Sequence, residues 1–101
     1  MAAGFAATVV EPTADFSLAA EGVFMLYHAA SGEILSLSGQ GVAPQRATVE
    51  FYRSQGLDAI PTGPGPQAHL SFTVPGVVDA LISLLERYGT KTAAEALDPA
   101  I

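Results

Sequence analysis

Apolar residues fall at Val77, Leu81, Leu84, Leu85 and Tyr88. That spacing, i, i+4, i+7, i+8 and i+11, marks one face of a 3.6-residue helix. It predicts a helix over residues 75–88, with Val77, Leu81, Leu84 and Leu85 turned into a core. Pro75 suits the first turn, where its missing N–H has no partner to lose. Asp79 lies early and Arg87 late, each at the end of the helix dipole that favours its charge. Gly89 follows the last periodic residue and predicts a left-handed C′ cap.

Upstream, residues 22–29 are rich in β-formers around Val23, Phe24 and Tyr27. The run is apolar on both faces and predicts an interior strand. Ala30-Ser31-Gly32 reads as a turn, and residues 33–37 alternate about Ile34, Leu35 and Leu37. The two runs predict a β-hairpin, 23–29 with 33–37, belonging to a larger sheet. A second helix is expected over 48–55, with Thr48 as N-cap, Glu50 in the first turn and Gly56 as the stop. Residues 58–67 are a turn-rich linker of prolines and glycines, and 70–74 a short strand-like run. Thr92 and Glu95 form a capping-box pattern that opens a helix over 93–97, limited by Pro99.

At the start, residues 2–10 carry an Ala-rich helical pattern without a capping residue, as though the chain were entered within a helix. Phe5 and Val9 are its expected packing residues, among small residues that permit close approach. Pro12 is expected to end it. Residues 13–21 have no sustained period and read as a loop. The whole is α+β, and residues 1–101 read as one partial domain.

Composition sharpens this picture. Of 101 residues, 50% are apolar and only 14% are charged, against about 25% charged in an ordinary domain. A small domain must solvate a large surface, so so few charges suit a piece that buries surface against other protein. A net charge of −6 with only 4 Lys and Arg builds no basic patch for nucleic acid or anionic membrane. There is no cysteine, hence no disulfide framework and no thiolate chemistry. The N-terminal run lacks a basic region and is interrupted by Glu11-Pro12, so it does not read as a secretory signal, and a cytoplasmic location is favoured. No run approaches a membrane span.

The residues carry no self-sufficient active site. His28 and His69 are the histidines available as bases, and neither has a metal partner at ligand spacing. The serines lack a nucleophile-elbow context. Gly39-Gln40-Gly41 is not followed by the third glycine of a dinucleotide loop, and the prolines of Gly63-Pro64-Gly65-Pro66 remove the donors a phosphate cradle needs. Glu11, Asp15 and Glu21 do not have the spacing of a calcium loop. No catalytic residue, metal ligand or cofactor is assigned within the chain.

Several runs carry a resemblance. Ala6-Ala7-Thr8-Val9-Val10-Glu11-Pro12 resembles the end of an Ala-rich helix in the gamma-glutamyltransferase family. Gly22-Val23-Phe24-Met25-Leu26-Tyr27 followed by Gly32-Glu33 resembles that family's glycine-rich turn entering its first hairpin. Ala43-Pro44 with Ala47-Thr48, then Val74-Pro75-Gly76, Glu86-Arg87-Tyr88-Gly89 and the run from Leu97 to Ile101, resemble further landmarks in the same order and spacing. The similarity spans nearly all of residues 6–101.

The resemblance implies an N-terminal-nucleophile hydrolase with an αββα sandwich, of which this hairpin and its helices would be a part. Such proteins are made as one precursor that cuts itself into a large and a small subunit. The small subunit's new N-terminal Thr is the nucleophile, with its own amine as base. This chain resembles an interior part of the large subunit. Its implied partners are the rest of that subunit and a small subunit carrying the nucleophile, with a small-molecule amide as substrate and no cofactor.

Two departures stand out. Family members that act on glutathione hold the substrate carboxylate with an Arg in the loop after the hairpin. The register from Glu33 to Ala43-Pro44 puts Gln40 at that place, flanked by Gly39 and Gly41, and these three are the implied substrate-binding residues. The glycine-rich turn is also replaced, by Asp15-Phe16-Ser17-Leu18-Ala19-Ala20-Glu21-Gly22. Ser38-Gly39-Gln40-Gly41-Val42-Ala43-Pro44, with Ile60-Pro61 and Gly65-Pro66 before Val74-Pro75-Gly76, resembles a distant amidohydrolase branch that includes acylase-like and oxamate-hydrolase-like members. A decayed, non-catalytic homologue acting as a scaffold is the alternative expectation. An independent ligand-binding module is disfavoured by the uncapped start and low charge.

Overall fold

The computed structural model describes residues 1–11 and 17–101. The expected stop at Pro12 and the first part of the 13–21 loop lie outside the described residues. Among the described residues the architecture is mixed α and β, with one antiparallel hairpin and several short helices. The chain divides into two compact units, Met1–Gly41 with Pro75–Ile101, and Val42–Val74.

In the first unit, strand β1 (Gly22–His28) pairs with β2 (Glu33–Gly39), from Gly22 opposite Gly39 to His28 opposite Glu33. The hairpin is as expected, except that β2 runs two residues beyond Leu37 and Ala29 belongs to the turn. Gly32 closes that turn at φ 72°, a conformation that costs glycine little. The expectation of an interior β1 is corrected. Its burial alternates, with Val23, Met25 and Tyr27 exposed at 69%, 81% and 64% and Ile34 of β2 beside them at 70%. Among the described residues, the Phe24, Leu26, Leu35 and Leu37 face is the half-buried one, on the side of the helix that follows. A two-stranded sheet is marginal alone, so that packing holds it.

The helix is α3 (Val77–Tyr88), which buries Ala80, Leu81, Leu84 and Leu85 against the hairpin. Val77 is half-buried and Ala80 joins the core in its place. The helix starts later than expected. Gly76 is its N-cap and Pro75 precedes the cap. A residue before proline avoids the helical region, which keeps Val74 extended. The predicted left-handed glycine is also corrected: Gly89 is extended at φ −75°, ψ 152°. Its N–H donates to Leu85 O at 2.8 Å, and a Cβ at position 89 would collide with that same carbonyl. Glycine is needed there for space, and its dihedral freedom is not used.

Helix α1 (Ala2–Val10) buries Phe5 and packs on the C-terminal elements, α4 (Ala93–Leu97) and the 3-10 turn Asp98–Ala100. Val9, expected in that packing, is 57% exposed. The capping box of α4 is complete. Thr92 Oγ1 accepts from Glu95 N–H at 3.2 Å, and Glu95 Oε2 accepts from Thr92 N–H at 2.8 Å.

The second unit holds helix α2 (Val49–Ser54). Thr48 Oγ1 caps it by accepting from Phe51 N–H, and Gly56 follows it at φ 75°. The strand expected over 70–74 is not formed. Ala68–Ser71 is a 3-10 turn, in which Ser71 Oγ donates to Ala68 O at 2.8 Å. Tyr52 Oη donates to Leu70 O at 2.6 Å, which ties that carbonyl to a side chain. Val74, at the end of the run, makes an isolated antiparallel bridge with Val42.

Candidate functional site

The hairpin delivers the expected site residues at one place, the C-terminal end of β2. Gly39 is buried as the last residue of the strand, Gln40 is exposed and Gly41 is half-buried. The Gln40 N–H reaches Ser38 Oγ at a long 3.4 Å. Its side-chain amide makes no hydrogen bond among the described residues, so both donors and the carbonyl are available to a ligand.

Glycine at position 39 is a packing requirement. A Cβ there would stand 2.9 Å from Ala80 Cβ and 3.0 Å from both Gly22 O and Phe24 Cε2. The strand end is thus pressed between the first turn of α3 and the start of β1. On the other side lies Gly76. A Cβ at 76 would stand 2.6 Å from Gln40 O and 2.7 Å from Gly39 O. The sequence marked Gly76 only as part of a landmark run, within the first turn of the helix predicted over 75–88. Its contact with Gly39 and Gln40 joins segments far apart in the chain, and no local periodicity signals it.

The histidines are placed apart from this site. His28 Nδ1 lies 2.8 Å from Ser31 Oγ, whose hydroxyl donates to Glu33 Oε2 at 2.9 Å. Serine has one proton to give. Directed at Glu33, it leaves His28 Nδ1 as the donor to Ser31. A base that activates serine must instead accept the hydroxyl proton. The cluster therefore secures the hairpin turn. His69 is exposed in the 3-10 turn of the other unit. Among the described residues no group of three or more His, Cys, Asp or Glu could hold a metal ion. No described helix is long and apolar enough to cross a membrane.

A cavity of about 180 Å³ lies between α1, the start of β1 and α3, lined by Gly4, Thr8, Leu18, Phe24, Val77 and Leu81 among others. Its walls are mostly apolar, and Thr8 Oγ1 already donates to Phe5 O at 2.7 Å. The other polar side chains of the lining are Ser17 and Glu21.

The family model for gamma-glutamyltranspeptidase matches residues 1–101. A glutathione hydrolase proenzyme from Pseudomonas sp. (strain A14) is 34% identical over 101 residues, which is 100% of this chain and 17% of that protein. Among solved structures, Helicobacter pylori gamma-glutamyltranspeptidase superposes with a TM-score of 0.74 at 32% identity, covering 98% of this chain and 28% of that one. Gamma-glutamyltranspeptidase from Pseudomonas nitroreducens, solved with L-DON, gives 0.73 at 29% identity over the same shares. The chain therefore spans well under a third of the length of each of these relatives.

Proposed function

The chain belongs to the gamma-glutamyltranspeptidase family, and from that premise we propose that it is a large-subunit segment of an amide hydrolase or transferase. The nucleophile, an N-terminal Thr, comes from a small-subunit segment outside these residues. The observation that carries the reading is the family match along the whole chain, from residue 1 to 101, together with a shared fold at 32% identity.

The exposed apolar stripe of Val23, Met25, Tyr27 and Ile34 supports a partner on the outer face of the hairpin. The remainder of the large subunit, completing an αββα sandwich, is that partner. At the end of β2, Gln40 stands where glutathione-cleaving members carry a carboxylate-binding Arg. A neutral amide cannot supply the charged bidentate fork of Arg, and neutral hydrogen bonds are about half as strong as charge-assisted ones. The substrate class is therefore an amide held without a carboxylate–guanidinium pair.

The test is to produce the complete protein that carries this segment and follow its processing by intact mass. Appearance of a second subunit beginning with Thr, with hydrolysis of neutral amides ahead of a γ-glutamyl anilide, is the expected result. A chain that stays unprocessed and inactive would instead support the scaffold alternative.

A further inference from the structure

Gly76 has φ −112° and ψ −11°, a backbone conformation that residues with side chains adopt. Its dihedral angles do not require glycine, but its neighbours do. A Cβ would stand 2.6 Å from Gln40 O, 2.7 Å from Gly39 O and 3.0 Å from Gly39 C, well inside ordinary contact distance. All of these are backbone atoms, so no rotamer change can relieve the clash. The helix behind Gly76 is anchored by buried Ala80, Leu81, Leu84 and Leu85. Gly39 is held from the other side by Ala80, Phe24 and Gly22. Gln40, exposed and tied among the described residues by a single 3.4 Å hydrogen bond, is the part free to yield.

We propose that Gly76 is a positioning residue for Gln40: the missing side chain lets the Gly39 and Gln40 carbonyls seat against the N-cap of α3, and this sets where the Gln40 amide stands. The inference rests on the reading of Gln40 as substrate-facing for its consequence in catalysis, but not for the contact itself. A misplacement of about 1 Å can cost an enzyme about a hundredfold. Gln40 would bind substrate and transition state alike, so its displacement should fall on KM and leave kcat nearly unchanged.

The experiment uses the complete protein, with Gly76→Ala, Gln40→Ala, the pair together, and Gly4→Ala as a control whose Cβ would meet nothing within 4 Å. Gly76→Ala is expected to raise KM for a neutral amide about tenfold with kcat within about twofold. In the Gln40→Ala background the same change should raise KM by less than about twofold, because a shared route makes effects non-additive. Amide hydrogen exchange at Gln40 and Gly41 should quicken in Gly76→Ala and not in Gly4→Ala. An equal KM effect in both backgrounds, or unaltered exchange at Gln40 and Gly41, overturns the proposal. If Gln40→Ala leaves KM unchanged, the substrate reading of Gln40 fails, and exchange alone then decides the positioning contact. Should Gly76→Ala be too unstable to purify, adding Gln40→Gly must restore soluble protein by letting the loop yield. Failure to do so also overturns the proposal.

Discussion

The ring of Tyr88 rests against that of His28, with centroids 5.4 Å apart and planes tilted by 58°. The contact joins the last residue of α3 to the last residue of β1. At the opposite end of the hairpin, Gly39 is pressed against Ala80 near the start of the same helix. The hairpin is therefore held to α3 at both ends, and the loop with Gln40 leaves from one of these anchor points.

Replacing Tyr88 by Ala should loosen the turn end of the hairpin. Aromatic pairs contribute about 0.5–1.5 kcal/mol beyond burial, so Tyr88→Ala should cost at least that much in denaturant unfolding of the complete protein. His28→Ala should cost less in the Tyr88→Ala background than alone. Full additivity would mean that the rings do not interact.

Gly39→Ala should overpack the strand end, at a cost of about 1–3 kcal/mol. The nearest side-chain atom is Ala80 Cβ at 2.9 Å, so adding Ala80→Gly should recover part of the lost stability. Thermal unfolding of the single and double variants measures this, and an absence of recovery would place the strain elsewhere.

The α4 capping box should fail in acid. The Glu95 carboxyl is held below the usual carboxylate range by the Thr92 N–H, then by the Thr92 hydroxyl, then by Lys91. A group whose pKa is lowered by folding lends stability above its unfolded pKa and loses it as pH falls through the folded one. Hydrogen exchange within residues 93–97 should therefore quicken as pH drops below the ordinary glutamate range, after correction for intrinsic exchange. Thr92→Ala should flatten that dependence. The Lys91–Glu95 ion pair, 3.3 Å and exposed, should matter little.

The 101-residue chain by itself should not hydrolyse a γ-glutamyl anilide or a simple amide. The serine–histidine contact of the hairpin turn directs the hydroxyl proton to Glu33. Turnover by mass-verified chain, free of the rest of the protein, would contradict the proposed need for a separate nucleophile.

In the complete protein, Gln40→Arg should raise activity on γ-glutamyl substrates relative to neutral amides. Trading a neutral for a charge-assisted pair is worth about 1–2 kcal/mol, or roughly tenfold in the ratio of kcat/KM values. An unchanged ratio in folded enzyme would remove Gln40 from the pocket.

Much of the frame is legible in the amino-acid order alone. The stripe Leu81, Leu84 and Leu85 declares α3, and Thr48 and Thr92 declare their helix starts, because these signals act between residues a few positions apart. The hairpin is readable for the same reason, since its turn and both strands are contiguous. What only the tertiary structure decided is whatever depends on distant partners. Residues 70–74 have the letters of a strand, but Tyr52 takes the Leu70 carbonyl and Val42 is the partner left for Val74. β1 is apolar on both faces, but among the described residues its Val23, Met25 and Tyr27 face is left uncovered, so Met25 stays exposed. Gly89 reads as helix punctuation and Gly76 as one residue of a landmark run, yet each is glycine because a backbone carbonyl occupies the space a Cβ would take. Local propensity reports which conformations a segment can adopt, and excluded volume between segments remote in sequence selects among them.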